Sequence, residues 1–165
     1  MIKTDLSNIV CAFGLAVSDR LAVATARCLP RDEPAKAIAF IGRETDMTIR
    51  ALSAHMQLSH AATLRMIDRL SDDGLVIRAT SQTDRRAVGL SLTDDGLETY
   101  QQLLGARAAT AGSVIEGLES SEQEQLKALL KKALASMVSS PEAAVQCCRF
   151  CDVVACSECP VNETY

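Results

Sequence analysis

The stretch that decides the fold is "LSHAATLRMIDRLSDDGLVIRATSQTDRRAVGLSLTDDG", residues 58–96. It opens with a helix signal, because Ser59 can cap a run whose apolar residues recur at three- and four-residue steps until Gly74. Two short runs with β-branched residues follow, "LVIRAT" and "AVGLSL", separated by the polar "SQTDRR". This order predicts a helix followed by a two-stranded hairpin.

A shorter helix is predicted just upstream. Thr48 can cap a helix that runs through Met56, and a brief turn separates it from the helix that Ser59 begins. Two helices joined by a turn and followed by a hairpin form a winged helix-turn-helix. In that motif the second helix enters the major groove, about 12 Å wide, and the basic hairpin loop reaches toward the minor groove. The sequence therefore predicts a DNA-binding domain over residues 34–93.

Long helices are predicted on both sides of this domain. Residues 5–28 are dense in apolar side chains without an interrupting proline, which predicts a helix with a wide apolar face. Downstream, Ser121 with Glu124 suggests a capping box for the last long helix. We expect a mainly α fold with a small β-hairpin wing. The predicted divisions are an N-terminal dimerisation helix over 5–30, the winged helix-turn-helix over 34–93, C-terminal dimerisation helices over 94–139 and a cysteine-rich tail over 140–165.

The charge pattern agrees with a selective DNA binder. The net charge is −4, yet residues 36–88 carry eight Lys or Arg against six Asp or Glu. A basic centre on an acidic body would turn the acidic surface away from phosphate. With 48% apolar residues, no long uninterrupted apolar run and no signal-peptide pattern, we expect a cytoplasmic protein without a membrane segment.

Three pieces of the opening stretch carry a family resemblance: "IDRLSDDGLVIR", "DRRAVGLSLT" and the "TDDG" that starts the next helix. They resemble the MarR family of bacterial transcription regulators, and the flanking helices match in order and length. The resemblance implies a homodimer with intertwined first and last helices, bound to a palindromic operator of double-stranded DNA. It also implies a cleft that could take a small-molecule effector, whose identity the sequence does not give.

The resemblance transfers DNA-contacting roles onto residues of this chain. At the start of the recognition helix, Ser59, His60 and Thr63 would approach bases, and Arg65 would contact phosphate. In the wing, Asp84 would orient Arg86, which would enter the minor groove, while Arg85 would add attraction to the backbone. Catalysis is not expected, because two histidines and no phosphate-binding glycine loop offer little to build an active site.

The C-terminal tail gathers thiols. Five of the seven cysteines lie between Cys147 and Cys159, and Cys148-x2-Cys151-x4-Cys156-x2-Cys159 forms two paired-thiol knuckles. Four thiolates suit tetrahedral zinc. The spacing also suits an iron–sulfur cluster, and a metal-free thiol switch is the third interpretation. The two remaining cysteines, Cys11 and Cys28, are predicted to be small core residues.

Two functions from different classes follow. The first is a homodimeric DNA-binding regulator, with repression as the expected mode and a metal or redox site in the tail as a modulator. The alternative is a metal- or redox-handling interaction protein that uses its helix-turn-helix for protein contacts.

Overall fold

The computed structural model describes residues 4–81, 86–152 and 159–161. In chain order the described elements are α1 (Thr4–Cys28), α2 (Asp32–Arg43), β1 (Met47–Thr48), α3 (Ile49–Met56), α4 (His60–Asp72), β2 (Val76–Thr80), β3 (Val88–Leu92), α5 (Asp94–Ile115), α6 (Ser120–Met137) and α7 (Pro141–Cys147). The predicted order of helices and hairpin is confirmed.

The helix boundaries of the central domain follow from local capping. The Thr48 hydroxyl accepts a hydrogen bond from the amide of Ala51, and the Ser59 hydroxyl accepts one from the amide of Ala62. Each cap satisfies one of the backbone amides that a helix leaves unpaired at its start. Gly74 follows α4 with a φ of 74°, a conformation that favours glycine.

A three-stranded antiparallel sheet forms the wing, with β3 between β1 and β2. The β2–β3 hairpin is the predicted one, with Val76 opposite Leu92 and Thr80 opposite Val88. The third strand was not predicted. Its two residues pair with Leu90 and Gly89. A strand of two residues is too short to show the alternation of apolar and polar residues by which a strand is predicted.

The core lies where α2, α3, α4 and α5 meet the sheet. Its largest fully buried side chains include Phe40, Leu52, Ile67, Leu90 and Leu103. Burying each stabilises the fold by about 1.5–3 kcal/mol. The helix-turn-helix is therefore anchored through its inner face to the rest of the domain.

Two glycines allow the close approaches that fix α5 against this domain. A Cβ at Gly96 would lie 2.0 Å from the carbonyl oxygen of Leu75, and one at Gly42 would lie 2.7 Å from the ring of Tyr100. The amide of Thr93 donates to that same Leu75 carbonyl, at 3.1 Å. The start of α5 is thus pressed directly onto the backbone that leads into the wing.

The flanking helices leave apolar surface exposed in the single chain. On α1, Ile9 and Val10 are more than 60% exposed, and on α6 Leu129 is 64% and Met137 75% exposed. No residue of α6 is buried. Cys11 is exposed as well, so the prediction that it belongs to the core is wrong for the single chain, because its part of α1 has little packed against it. Cys28 is half-buried, with its thiol 3.8 Å from the carbonyl of Ala24.

Two local predictions near the C-terminus are also wrong. Helix α6 begins one residue before Ser121, and the reciprocal bond joins the Glu122 carboxylate to the amide of Glu119, at 2.9 Å. The stretch "SSPEAA", residues 139–144, is predicted from the sequence to be a linker. Instead the Ser140 hydroxyl caps α7 by accepting from the amide of Ala143, and Pro141 occupies the first helical position that it favours.

Among the described residues, the segment Asp5–Cys28 of α1 is long and apolar enough to cross a membrane, judged by length and composition alone. The sequence prediction missed this because it considered uninterrupted apolar runs, whereas here Asp19 and Arg20 interrupt a segment of mean hydropathy 1.6. Helices of soluble proteins meet the same criterion, so this single helix says little about a membrane.

Candidate nucleic-acid interface

The recognition helix α4 has one buried and one exposed face. Its inner face carries Met66, Ile67 and Leu70, which are 8%, 0% and 2% exposed. Ser59, His60 and Arg65 are exposed. The packing of the apolar side chains therefore fixes which polar side chains α4 presents outward.

Thr63 does not belong to this outward face. Its side chain is fully buried, and its hydroxyl donates to the carbonyl of Ser59 at 3.2 Å. The assignment of Thr63 as a base-contacting residue is therefore corrected, because a threonine in this position of α4 points into the core. Of the predicted α4 contacts, Ser59, His60 and Arg65 remain exposed.

The wing presents Arg86, which is exposed where the described chain resumes before β3. Asp84 and Arg85, the other predicted wing residues, lie outside the described residues. The base of the wing is held by a hydrogen bond of 2.7 Å from the hydroxyl of Ser81 to the carboxylate of Asp46. This bond ties the end of β2 to the turn before β1.

An ion pair connects α4 to the hairpin. Arg78 on β2 lies 2.6 Å from the carboxylate of Asp68 on α4. Their spacing of four residues on one helix predicts that Arg69 and Asp73 form an ion pair, but no ion pair joins these two described residues. The amide of Asp73 instead bonds to the Arg69 carbonyl as it caps the end of α4. Arg69 is exposed to solvent.

One exposed cation was missed by the sequence interpretation. Arg50 lies in the first turn of α3 and is exposed. Its place two residues after the Thr48 cap was the available signal, because the first helix of a helix-turn-helix crosses the DNA backbone.

A cavity of about 670 Å³ lies between the α1–α2 connection and α4. Its lining combines apolar side chains, among them Leu29 and Met66, with three cations and three carboxylates: Arg31, Arg65, Arg69, Glu33, Asp72 and Asp73. A pocket of this mixed lining is of a size that takes small organic molecules. It shares Arg65 with the outward face of α4.

The cysteine-rich tail lies against the helix-turn-helix. A guanidinium nitrogen of Arg43 on α2 donates to the carbonyl of Cys148 at 2.9 Å. The Gln146 amide donates to the carbonyl of His55 on α3. On the α5 side, Arg107 lies 3.9 Å from the sulfur of Cys151. The tail therefore contacts α2 and α3 of the DNA-binding domain and α5 beside it.

Four of the tail thiols are close enough to influence one another. Burial, followed by the neighbouring thiols of Cys151, Cys147 and Cys159, raises the pKa of Cys148 from 9.0 to about 12. In the absence of a cation, Cys148 is therefore a neutral thiol at physiological pH.

The predicted metal ligands are only partly placed. Cys148, Cys151 and Cys159 belong to the described chain, whereas Cys156 lies outside it. The turn of the first knuckle is closed by a bond of 2.8 Å from the amide of Cys151 to the carbonyl of Cys148. Within residues 4–81, 86–152 and 159–161, no group of three His, Cys, Asp or Glu side chains is arranged to hold a metal ion.

Known proteins share this domain. Residues 34–87 match the model of the MarR family. The HTH-type transcriptional repressor MdtR of Bacillus subtilis is 29% identical over 91 residues, which make up 55% of this chain and 57% of that protein. The chain spans between 55% and 66% of the length of the first three curated relatives it matches. These relatives are named as regulators, in agreement with the prediction that the chain is not an enzyme.

Solved structures show the same fold over most of the chain. RV1404 from Mycobacterium tuberculosis has a TM-score of 0.73 at 18% identity and covers 85% of this chain and 97% of its own. A MepR variant of S. aureus bound to an oligodeoxyribonucleotide has a TM-score of 0.62 at 17% identity, covering 81% of this chain and 98% of its own. The family match over residues 34–87, the named relatives and the shared fold together support a MarR-family winged helix regulator.

Proposed function

We propose that the chain is a sequence-specific DNA-binding transcriptional regulator that acts as a homodimer on a palindromic operator, with repression as its mode. The observation that carries the proposal is the outward face of α4. Ser59, His60 and Arg65 are exposed there, while the opposite face of the helix is locked in the core. The repressor mode is supported by the name of the relative MdtR.

Each exposed group has a chemical role in this proposal. The start of α4 enters the major groove, where the hydroxyl of Ser59 and the imidazole of His60 reach base edges. Arg65 and Arg50 bind phosphates, because guanidinium groups match phosphate geometry and attract it strongly. Arg86 enters the minor groove, whose negative potential attracts arginine.

The homodimer is proposed from the exposed apolar side chains of α1 and α6. A single chain that leaves Ile9, Val10, Leu129 and Met137 in water loses the stabilisation that their burial supplies, about 1.5–3 kcal/mol for each side chain. Pairing two chains through these helices would cover the side chains and set the distance between the two recognition helices. On this proposal the regulator works in the cytoplasm and needs no membrane.

Arg65→Ala and Arg86→Ala test the DNA interface. The probe is a duplex selected by the wild-type chain from a random library. We expect each variant to bind this duplex about tenfold more weakly, and the slope of log affinity against log salt to fall by about one per lost phosphate contact. Lys127→Ala is the matched control, because Lys127 is exposed on α6 and already pairs with Glu124.

The outcome separates the two classes of function. If the wild-type chain shows no salt-dependent binding to any selected duplex, the regulator proposal fails, and the helix-turn-helix becomes a protein-binding module of a metal- or redox-handling protein. If both arginine variants bind like Lys127→Ala, the chain binds DNA through another surface.

A second proposal concerns the tail. We infer that Cys148, Cys151, Cys156 and Cys159 bind zinc, with an iron–sulfur cluster and a metal-free thiol switch as the competing chemistries. The closed Cys148–Cys151 turn supports it, since paired thiolates on a short turn suit a soft cation. Protein purified without oxygen decides among them. Bound zinc without colour supports zinc, brown colour supports iron–sulfur, and metal-free protein favours the switch. Metal content is compared between Cys148→Ser and its control, Cys11→Ser.

The cavity beside α4 is the proposed site for an effector of unknown identity. Because Arg65 belongs both to its lining and to the outward face of α4, a bound anion would compete for the charge that we assign to phosphate. Because Glu33, Asp72 and Asp73 line the same cavity, small anions and small cations are both tested for release of the duplex.

A further inference from the structure

The cysteine-rich tail folds back onto the DNA-binding core. After α6 the chain turns at Ser140, and α7 lies beside α3. The contacts are distant in sequence, since Gln146 and His55 are 91 residues apart, and Arg43 and Cys148 are 105 apart. A segment expected to extend beyond the dimer helices therefore touches the helices that position α4.

Gln146 acts as a cap for the end of α3. The last carbonyls of a helix have no partner within the helix, and the side-chain amide of Gln146 donates to one of them, at His55. Gln57 follows in the left-handed conformation, with a φ of 54°. This is the turn that leads from α3 into α4, so Gln146 stabilises the joint of the helix-turn-helix.

Arg43 provides the second attachment. Its side chain is 11% exposed, and it pairs with Glu44 at 2.8 Å while donating to the carbonyl of Cys148 at 2.9 Å. Its guanidinium also lies 5.5 Å from the centre of the Phe40 ring. A charged group held on three sides is a fixed anchor, because breaking any one contact leaves a poorly solvated charge.

Apolar side chains of the tail complete the contact. Val145 and Phe150 pack against the core cluster that contains Phe40 and Leu52. Val161 is only 3% exposed. The tail is thus attached by buried apolar surface as well as by hydrogen bonds, which distinguishes it from a segment resting on the surface.

We propose that the first part of the tail, residues 141–152, is an internal clamp on the helix-turn-helix. The clamp holds the α3–α4 joint in the arrangement that binds DNA, and releasing it lowers operator affinity without separating the dimer. The second half of this statement rests on the proposed DNA-binding function, whereas the first half concerns the free protein only. Cys148 supplies the carbonyl to which Arg43 donates, so one of the clustered tail cysteines belongs to the clamp itself.

The first test uses hydrogen exchange of the free, full-length chain. Gln146→Ala removes the cap on α3 and leaves the core side chains in place. We expect the amides of residues 56–58 to exchange about tenfold faster, which corresponds to about 1.4 kcal/mol of lost local stability. Gln102→Ala is the matched control, because the Gln102 amide only meets Glu98 on an exposed helix surface. It should leave residues 56–58 unchanged.

A second variant tests whether faster exchange reflects release of the whole tail or only the loss of the bond from Gln146. Phe150→Ala removes an apolar contact between the tail and the core, and it should accelerate exchange both in residues 56–58 and in α7. Circular dichroism and sedimentation show whether each variant stays folded and dimeric. If Phe150→Ala unfolds the chain, Gln146→Ala alone decides the question.

DNA binding to the selected duplex is then measured for the same variants. We expect weaker binding for Gln146→Ala and unchanged binding for Gln102→Ala, and a loss of about three- to tenfold corresponds to a joint that is closed in about a third to a tenth of the chains. Unchanged exchange in residues 56–58 would overturn the clamp itself. Faster exchange with full operator affinity would overturn its control of binding. A wild-type chain that binds no duplex would refute the proposed function, and the exchange result would still decide whether the clamp exists.

Discussion

Gly96→Ala should strongly destabilise the fold. Gly96 is the third residue of α5, and its amide donates to the Thr93 hydroxyl at 3.0 Å. A Cβ added there would meet the carbonyl oxygen of Leu75 at 2.0 Å and its carbonyl carbon at 3.0 Å. The first distance is about 1 Å shorter than contacts that real Cβ atoms make. The obstacle is backbone, so a change of rotamer cannot relieve it.

The expected magnitude follows from what must move. To admit the methyl group, the start of α5 must shift away from the backbone before β2, which strains the bond from the Thr93 amide to the Leu75 carbonyl. Overpacking of this kind costs about 1–3 kcal/mol, and we expect the upper end. For a domain of this size that is a fall in Tm of about 6–12 °C, at roughly 2–4 °C per kcal/mol.

Gly105→Ala on the same helix is the matched control with the opposite sign. Gly105 is exposed, and a Cβ there has nothing within 4 Å. Replacing glycine by alanine in a helix interior stabilises by about 0.5–1 kcal/mol, because the unfolded chain loses conformational freedom. The same chemical change on one helix should therefore lower the free energy of unfolding at one site and raise it at the other.

Urea and thermal denaturation, followed by circular dichroism, measure the stability of both variants. One protein concentration is used throughout, because the Tm of a dimer depends on concentration. The reasoning is refuted if Gly96→Ala unfolds within about 1 kcal/mol of the wild type, a third of the expected cost. It is also refuted if the two variants shift stability in the same direction.

Further predictions concern other contacts. Ser81→Ala should lower the free energy of unfolding by about 1.5 kcal/mol, the value of a hydrogen bond to a charged acceptor. It should also weaken DNA binding through the wing, and an unchanged affinity would show that the wing does not contribute to binding. Burial and the nearby Asp152 raise the pKa of Tyr100 above its usual 10.0. The free energy of unfolding of the wild type should therefore keep its full value below pH 10 and decline as the pH rises through the pKa of Tyr100 in the folded state. Tyr100→Phe should show a weaker decline. Met137→Glu should shift sedimentation toward the monomer, and an intact dimer would place the interface elsewhere.

The central domain was predictable because each of its signals is local. The hydroxyls of Thr48 and Ser59 each cap a helix by accepting from an amide three residues later. The hairpin is predicted by two β-branched runs with a polar turn between them. Thr63 shows where this reasoning ends. Its place near the start of α4 indicated a base contact, but only the direction of the packed helix reveals that its side chain is buried. A residue's face on a helix depends on tertiary packing, which the family pattern conveys only approximately.

The tail was the least predictable part, for the same physical reason. Its cysteine spacing was visible, but its position against α3 depends on contacts such as Arg43 with Cys148, which join distant parts of the chain. No periodicity encodes which carbonyl a distant arginine will hold. The short helix α7 was not predicted, because Ser140 and Pro141 are as typical of a linker as of the first residues of a helix.

The clamp has a consequence for the order of events during synthesis. Residues 32–103, which supply most of the core, leave the ribosome before residues 141–152 are made, and segments fold largely in the order of synthesis. The α3–α4 joint of a nascent chain therefore lacks its cap. Proteolysis that removed the tail from a mature chain would return it to that condition. In either case the fraction of chains able to occupy an operator would depend on chain completeness as well as on protein concentration.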